Sequence, residues 1–194
     1  MFQDEARYKI DHFINTNDMG LPEHNVAKTY VDQRSKIVQQ IMTMGKKFKQ
    51  RVKTLHIAIE LCDRFFLDKR AQGMPQVQGM TARKVNIVVT TCFLIASKYD
   101  EIDDQLVFIN DTQKYYQRSG NPSVPTWTDI VETERMLMNF FGWDLGFVLP
   151  IHYVEMFLAN GVLFESEPIN QPKTKETAKK ISNKCYEVLD EMIR

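Results

Sequence analysis

The sequence has no excess of charge of either sign, because its 25 Lys and Arg residues balance 25 Asp and Glu residues over a length of 194. Nucleic-acid affinity rests mainly on the neutralisation of phosphates by clustered, uncompensated Lys and Arg side chains. The even balance therefore argues against a nucleic-acid partner. With 43% hydrophobic residues, a chain of this length is expected to bury a substantial core, in one large domain or in one domain plus a fragment.

Long apolar runs and targeting signals are also lacking. No stretch approaches the roughly 20 consecutive apolar residues that a bilayer span needs. The opening residues MFQDEARYKI contain neither an apolar signal core nor an Arg-rich, acid-poor segment. Cys62, Cys92 and Cys185 lie far apart within helical patterns, which predicts reduced thiols in a core. We therefore expect an intracellular protein, nuclear or cytoplasmic, with no membrane partner.

Motifs that carry enzymatic or metal chemistry are missing as well. The sequence contains no glycine-rich phosphate loop, no HExxH or CxxC metal motif and no GxSxG nucleophile elbow. The acids of Asp100–Asp104 lack the spacing and the central glycine of a calcium-binding loop. Four isolated histidines are typical of surface or core positions: His12, His24, His56 and His152. We expect a protein that is not an enzyme and that holds neither a cofactor nor a metal.

The sequence does contain a succession of helical patterns arranged around one segment. Residues 85–96, VNIVVTTCFLIA, place apolar side chains on every side of a helical wheel, which predicts a helix surrounded by other helices. The segment breaks off into the polar and charged residues Ser97–Glu101, SKYDE. This pattern predicts an all-α fold with a central buried helix that delivers charges to the surface.

Amphipathic periodicity predicts further helices on both sides of this segment. In chain order they are an opening helix within residues 1–26, then 27–47, 54–69, 105–117, 126–141, 150–159 and 173–194. Thr81 is the expected N-cap of the central helix, and Thr126 with Asp129 forms an expected capping box. The predicted organisation is an N-terminal helix and linker at 1–26, a helical domain at 27–160, a polar linker at 161–172 and a C-terminal amphipathic helix at 173–194.

Charged residues stand in or beside several of the apolar stripes. Arg34 lies on the stripe of the 27–47 helix, and Asp63 of the next helix is its natural partner, because an unpaired buried charge is costly. Glu134 falls in line with the apolar positions of the 126–141 helix, which places it at the edge of the core or reserves it for a partner. The basic run Lys46–Lys53 is typical of a solvated connection, with a phosphate site as the less favoured alternative.

Three of these segments, taken in order, resemble the cyclin box. They are TLHIAIELCDRFF, CFLIASKYDEI and ETERMLMNFFGWDL, and cyclins carry a similar DRF helix, a similar LASK helix and a similar fifth helix with a Glu near its start. The resemblance covers about Tyr30–Leu158, and LIASKYDE is its most specific element. It implies a five-helix cyclin box with a central buried helix over residues 27–160, accompanied by an N-terminal and a C-terminal helix.

The resemblance also implies roles for individual residues. Arg34 and Asp63 match the Arg and the Asp that form a structural ion pair in cyclins. Lys98 matches the Lys of the LASK element and Glu134 matches the Glu of the fifth helix, which together grip the kinase near its C-helix. Apolar neighbours are expected to complete the kinase contact, and the candidates are Phe93, Leu94 and Leu137.

The implied function is that of a regulatory subunit. Such a subunit binds a cyclin-dependent-type protein kinase in a heteromeric complex and activates it by fixing its C-helix in the active position. The alternative is a non-catalytic cyclin-fold scaffold subunit of a larger assembly that contains no kinase partner.

The sequence departs from cell-cycle cyclins at several places. The MRAIL-like docking segment is replaced by Gln33–Ile37, QRSKI, and Gln40 stands at the position of the Trp that follows it, which predicts that this type of substrate docking is absent. Trp143–Leu158 has the length and the Pro position of transcription-type cyclins. The 173–194 helix resembles the first helix of an incomplete second box, so we expect either a fragment or a one-box cyclin that uses this helix as a cover.

Overall fold

The computed structural model describes residues 26–75, 77, 80–119, 124–160 and 174–193, and helices dominate all of these ranges except the isolated residue 77. The all-α prediction is confirmed for this part of the chain. The predicted 161–172 linker lies outside the described residues. So does the predicted opening helix within residues 1–26, of which only Val26 is described.

The long helices follow the order that the periodicity predicts. They are α1 Val26–Phe48, α2 Val52–Leu67, α3 Ala82–Asp100, α4 Ile109–Arg118, α5 Trp127–Phe140, α6 Pro150–Asn160 and α7 Thr174–Ile193. Both predicted N-caps are confirmed. The Thr81 hydroxyl accepts a hydrogen bond from the Lys84 amide at 3.3 Å, and Thr126 and Asp129 form the reciprocal capping box of α5.

The predicted end of the second helix is two residues too late, and the predicted start of the fourth helix is four residues too early. The second helix ends at Leu67 and not at Lys69, because Asp68 is extended and its carboxylate caps a separate turn, Lys69–Gln72. The fourth helix begins at Ile109 and not at Gln105, because residues 106–108 are extended after a 3₁₀ turn at Asp103–Gln105. In both places a side-chain cap or a short turn interrupts a periodicity that continues in the sequence.

The chain divides into two compact units, Met1–Phe147 and Val148–Arg194. The predicted helical domain at 27–160 extends beyond this boundary, since the structure assigns residues 148–160 to the second unit. There α6 packs against α7. Helices α1 to α5 belong to the first unit, which also contains every site residue that the sequence predicts.

Helix α3 is the centre of the first unit. It packs against α1, α2 and α5, and each residue from Ile87 to Ser97 is buried, as the apolar helical wheel predicts. The polar side chains within this stretch are satisfied locally, since the Thr91 hydroxyl donates to the Ile87 carbonyl at 2.8 Å and Ser97 Oγ accepts from the Val107 amide at 3.1 Å. Because the middle of α3 is enclosed, only its ends reach the surface.

A tight corner joins α1 to α2. Lys49 adopts a left-handed conformation with φ of 56°, and the Gln50 amide donates to the Gly45 carbonyl at 2.9 Å in a Schellman-type ending. Gly45 suits this corner because a Cβ atom there would overlap the Leu55 side chain of α2 unless that side chain shifted. The absent side chain lets the two helices approach each other closely.

The carboxylates at the end of α3 turn inward and cap α2. Glu101, whose side chain is fully buried, accepts from the Arg51 amide at 2.6 Å, and the Thr54 hydroxyl lies 2.6 Å from Glu101 and 2.9 Å from Asp100. Asp100 also pairs with Lys53 at 3.1 Å and with Arg51 at 3.2 Å. Because Arg51 supplies no side-chain cap of its own, these acids from another helix satisfy the start of α2.

The ion pair expected between α1 and α2 is present as a bidentate contact. Arg34 donates to both carboxylate oxygens of Asp63 at 2.8 Å, and the Tyr30 hydroxyl donates to the same carboxylate at 2.7 Å. The side chains of Arg34 and Asp63 are only 28% and 15% exposed. Burial is the main reason why the pKa of Tyr30 is raised, so its hydroxyl remains a donor.

We expect Asp63→Asn to lower the free energy of unfolding by about 1–3 kcal/mol, since it leaves a partly buried guanidinium without its carboxylate. Urea unfolding of the full chain measures this loss. Glu176→Gln is the control, because the pair of Glu176 with Lys180 is exposed on both sides and is expected to contribute less than about 0.5 kcal/mol. Equal losses in the two variants would contradict a structural role for the Arg34–Asp63 pair.

Asp100, at the end of α3, is expected to make the stability of the fold depend on pH. Burial alone would raise the pKa of Asp100, but hydrogen bonds from Thr54 and Lys53 and the Arg51 charge hold it below its ordinary value of 3.8. A carboxylate with a lowered folded-state pKa stabilises the fold at higher pH, and this contribution is lost as pH falls below about 4.

Asp100→Asn is therefore expected to lower the unfolding free energy at pH 7 by about 1–2 kcal/mol and to flatten its decline below about pH 4. Urea titrations at a series of pH values measure both effects. Asp103→Asn is the control, since Asp103 is exposed on the neighbouring turn. An unchanged acid profile in Asp100→Asn would show that other groups dominate the decline.

Candidate functional site

Lys98 and Glu134 form an accessible ion pair between the last turn of α3 and the middle of α5. The Lys98 ammonium donates to both carboxylate oxygens of Glu134, at 2.6 and 2.8 Å. The Lys98 side chain is 47% exposed and that of Glu134 is 26% exposed. Exposed pairs of this kind contribute little to stability. The arrangement is therefore better suited to present two fixed charges to a partner than to hold the two helices together.

The pair lies at an open groove of about 570 Å³ whose floor and walls are largely apolar. We call this surface the α3–α5 groove. Besides Lys98 and Glu134, it is lined by the apolar or aromatic residues Ile95, Tyr99, Val131, Met138, Trp143 and Leu145, and by Arg135 and Asn139. An apolar concavity with a few fixed polar groups is a typical binding surface. All of its residues belong to the first compact unit.

The end of α3 separates its charges into two sets. Lys98 and Tyr99 are exposed and line the groove, whereas Asp100 and Glu101 point into the cap of α2. The sequence predicted a charged exit, but it did not show that two of its three charged side chains, those of Asp100 and Glu101, are internal. The buried carboxylates fix the backbone immediately after Lys98, so the ammonium projects from a rigid support.

Trp143 forms the rim of the groove in an unusual backbone conformation. Its φ angle is 62° and that of Gly142 is 63°, both in the left-handed region that bulky residues rarely adopt. The Trp143 amide donates to the Met138 carbonyl at 2.9 Å, and its indole N–H donates to Asn139 Oδ1 at 3.2 Å. These bonds hold an indole that is still 69% exposed. A strained backbone conformation that holds a large apolar side chain in solvent is typical of functional surfaces.

Phe93, Leu94 and Leu137 are core residues, which differs from their predicted position at the kinase contact. Their exposed fractions are 0%, 1% and 0%, and their part in a kinase contact stays a prediction. For Phe93 and Leu94, a helix that is apolar on all sides does not reveal which side approaches the surface, and Leu137 lies with Ile130 on the buried face of α5. The groove is instead lined by Tyr99 and Met138, which lie next to Lys98 and one turn beyond Glu134. Their positions in the sequence relative to Lys98 and Glu134 were the signal that could have identified them as lining residues.

The position of the docking Trp is occupied by a polar network. Gln40 Nε2 donates to Asn86 Oδ1 at 2.6 Å and to the Tyr116 hydroxyl at 2.8 Å. The Tyr116 hydroxyl also lies 2.7 Å from Thr90 Oγ1, and burial raises its pKa although hydrogen bonds from Thr90 and Gln40 lower it. This network ties α1, α3 and α4 together. The polar character of the segment agrees with the prediction that the apolar docking groove is absent, which stays a prediction.

The described residues contain no group of three or more His, Cys, Asp or Glu side chains that could hold a metal ion. Among their helices, none is both long enough and apolar enough to span a bilayer. Cys62 and Cys92 are free and buried, and Cys185 is free and half-buried, so the predicted core position holds for the first two.

Several cyclins are similar to this chain in sequence. Cyclin-J of Xenopus laevis is 22% identical over 153 residues, covering 79% of this chain and 38% of that protein. Cyclin-J-like protein of Mus musculus is 22% identical over 181 residues, covering 90% and 45%. G2/mitotic-specific cyclin-1 of Saccharomyces cerevisiae is 28% identical over 159 residues, covering 79% and 30%. The chain thus spans less than half the length of each of these relatives.

The likeness of Trp143–Leu158 to transcription-type cyclins stays a prediction, because these whole-chain identities do not test a single segment. The family profile described as "Cyclin, N-terminal domain" matches residues 5–146, which include α1 to α5 and the whole α3–α5 groove. Because this match covers most of the chain, the protein belongs to the cyclin family.

Proposed function

We propose that this chain is a regulatory subunit that binds a cyclin-dependent-type protein kinase and stabilises the active position of its C-helix. The observation that carries the proposal is the accessible Lys98–Glu134 pair beside the apolar α3–α5 groove. This chain spans less than half the length of the compared cyclins. The kinase partner and its activation are therefore proposed here and do not follow from the likeness alone.

The ion pair supplies polar recognition of a helix end. Lys98 carries three donors, two of which are directed at Glu134, and its 47% exposure leaves the ammonium accessible. The last carbonyls of a helix lack partners within that helix and attract a cation. Lys98 therefore donates to carbonyls at the end of the kinase C-helix. Glu134 orients Lys98 and uses its remaining acceptor capacity for a backbone N–H of the kinase.

The apolar lining supplies most of the binding energy. Tyr99 and Trp143 are 53% and 69% exposed, and a helix laid into the groove removes their surfaces from water. Large aromatic side chains are typical energetic centres of protein interfaces. The groove thereby offers both a hydrophobic contact and a polar pair that fixes the orientation of the bound helix.

Activation follows from selective binding of one kinase conformation. In this class of kinase, a Glu of the C-helix must pair with the Lys that orients ATP. A surface complementary to only the active placement shifts the kinase population toward it by the difference in affinity for the two placements. The fixed exit of α3, capped on α2 through Glu101, makes the cyclin surface rigid enough to discriminate between them.

A second candidate function is that of a scaffold subunit without a kinase partner. The observation that favours it is the polar network of Gln40, Asn86 and Tyr116 at the position where cell-cycle cyclins dock substrates. A cyclin fold that presents no substrate groove can still join other subunits. The two candidates differ in whether a kinase binds at the Lys98 face.

Lys98→Ala or Glu134→Ala is expected to weaken kinase binding by about 2–4 kcal/mol, because each change removes one member of a charge pair that is desolvated in the complex. The measurement starts with purification of the tagged chain from its native cell and identification of the bound kinase. Affinities of the variants for that purified kinase then follow from titration calorimetry.

Lys84→Ala provides the matched control for these titrations, since Lys84 is an exposed lysine at the other end of the same helix. It is expected to change affinity by less than about 0.5 kcal/mol. If no kinase co-purifies, the kinase proposal is rejected in favour of the scaffold function. A bound kinase that is insensitive to both site substitutions would reject the Lys98–Glu134 pair as its contact.

Trp143→Ala is expected to weaken binding of the same kinase by about 1–2 kcal/mol, because an exposed indole at the groove rim loses its contact area. Its urea unfolding midpoint should not fall, since the indole is mostly in solvent and the left-handed backbone is no easier for Trp than for Ala. Trp127→Ala is the control: this indole is 60% exposed at the start of α5 and does not line the groove. An equal effect of both substitutions would argue against the groove as the interface.

A further inference from the structure

We propose that a second groove, between the end of α1 and helix α4, binds a phosphorylated segment of a protein partner. We call it the α1–α4 groove. It has a volume of about 280 Å³ and is lined chiefly by Lys47, Phe48, Asp111, Lys114, Tyr115 and Arg118. This site shares no residue with the α3–α5 groove and does not depend on kinase binding.

The cations of this groove are not used inside the protein. Of the basic run Lys46–Lys53, which begins in the last turn of α1, Arg51 and Lys53 are engaged by the carboxylates at the end of α3. Lys47, Lys114 and Arg118 are exposed, and in the part of the chain that the structure describes their side chains have no hydrogen-bond or ion-pair partner. Of the five cations in this run, two are therefore paired within the protein, and Lys47 is the one that lines the groove.

The charges on the groove favour an anion. Asp111 is its one acidic lining residue, and its carboxylate accepts from the Phe108 amide at 3.3 Å at the start of α4. Lys114 and Arg118 are four residues apart and so share one face of α4. Helix ends attract single cations through their dipoles. That effect does not explain why cations from two helices line the same concavity.

The floor of the groove is aromatic and anchored in the core. The half-buried ring of Phe48 lies 5.9 Å from the ring of Tyr115 and 6.0 Å from that of Phe93, measured between centroids. Phe93 is completely buried, so the floor cannot move freely. Side chains that flank a bound anionic group can pack on these two rings. The combination suits an amphipathic peptide better than a free inorganic ion.

Phosphate is the anion that this set of donors fits best. A phosphorylated side chain carries about −1.5 to −2 charges and three acceptor oxygens, which match two ammonium groups and one guanidinium. The guanidinium of Arg118 can bind two of these oxygens side by side. A nucleic-acid duplex needs a much longer basic face, whereas this groove is small and the whole chain is neutral.

The test uses the full chain and two fluorescent pools of short degenerate peptides that differ only in phosphorylation of a central threonine. Fluorescence anisotropy measures their binding. The phosphorylated pool is expected to bind at least about tenfold more tightly, and the double variant Lys114→Glu with Arg118→Glu is expected to lose that preference. Binding should also weaken with added salt, because the cations are exposed.

Lys36→Glu combined with Lys84→Glu is the matched control, since it reverses the same number of exposed lysine or arginine charges away from the groove. Circular dichroism checks that both double variants are folded, and Lys114→Gln with Arg118→Gln repeats the test without added negative charge. The proposal is overturned if phosphorylation brings no gain, or if the control loses as much as the groove variant. Tighter binding of a single-stranded oligonucleotide or of phosphatidylserine vesicles through the same residues would also reject a peptide ligand.

Discussion

A helix with apolar side chains on every side must be enclosed by other helices, and this constraint on α3 organises the first compact unit. Helices α1, α2 and α5 pack around it, and all side chains from Ile87 to Ser97 are removed from water. Burial of this kind is the main favourable contribution to folding. It also means that α3 can contribute to function only at its ends, and its C-terminal end is where Lys98 and Tyr99 meet the α3–α5 groove.

The two surfaces proposed for binding differ in how the protein treats their charges. Lys98 is already paired with Glu134. Its ammonium group is therefore fixed in position, and the Glu134 carboxylate partly neutralises its charge. Lys47, Lys114 and Arg118 have no such partner in the described part of the chain. The first arrangement favours orientation of a neutral helix end, and the second favours attraction of an anion. A chain with zero formal charge thus has local surfaces of distinct electrostatic character.

Periodicity and local capping were enough to predict most of the helices and two of their starts, because Thr81 and Thr126 act on residues three positions away. Arg34 and Asp63 were also predictable, since each stood against an apolar stripe. The burial of Phe93 and Leu94 could not be predicted in this way, because a helix with apolar residues on every side gives no sign of which face lies near the surface. The inward turn of Glu101 depends on Arg51, 50 residues earlier, which periodicity cannot relate to it. The exposure of Trp143 depends on a left-handed turn that Gly142 signals only in general terms.

The cap that Glu101 places on α2 has a consequence for the order in which the fold assembles. An ordinary N-cap acts on its own helix and forms as soon as the first turn does. The start of α2 receives its carboxylates from a segment that follows the whole of α3. The first turn of α2 is therefore completed only when α3 has docked beside it. Local helix formation and long-range closure become one cooperative step, and a chain that ended before residue 101 would leave α2 frayed at its beginning.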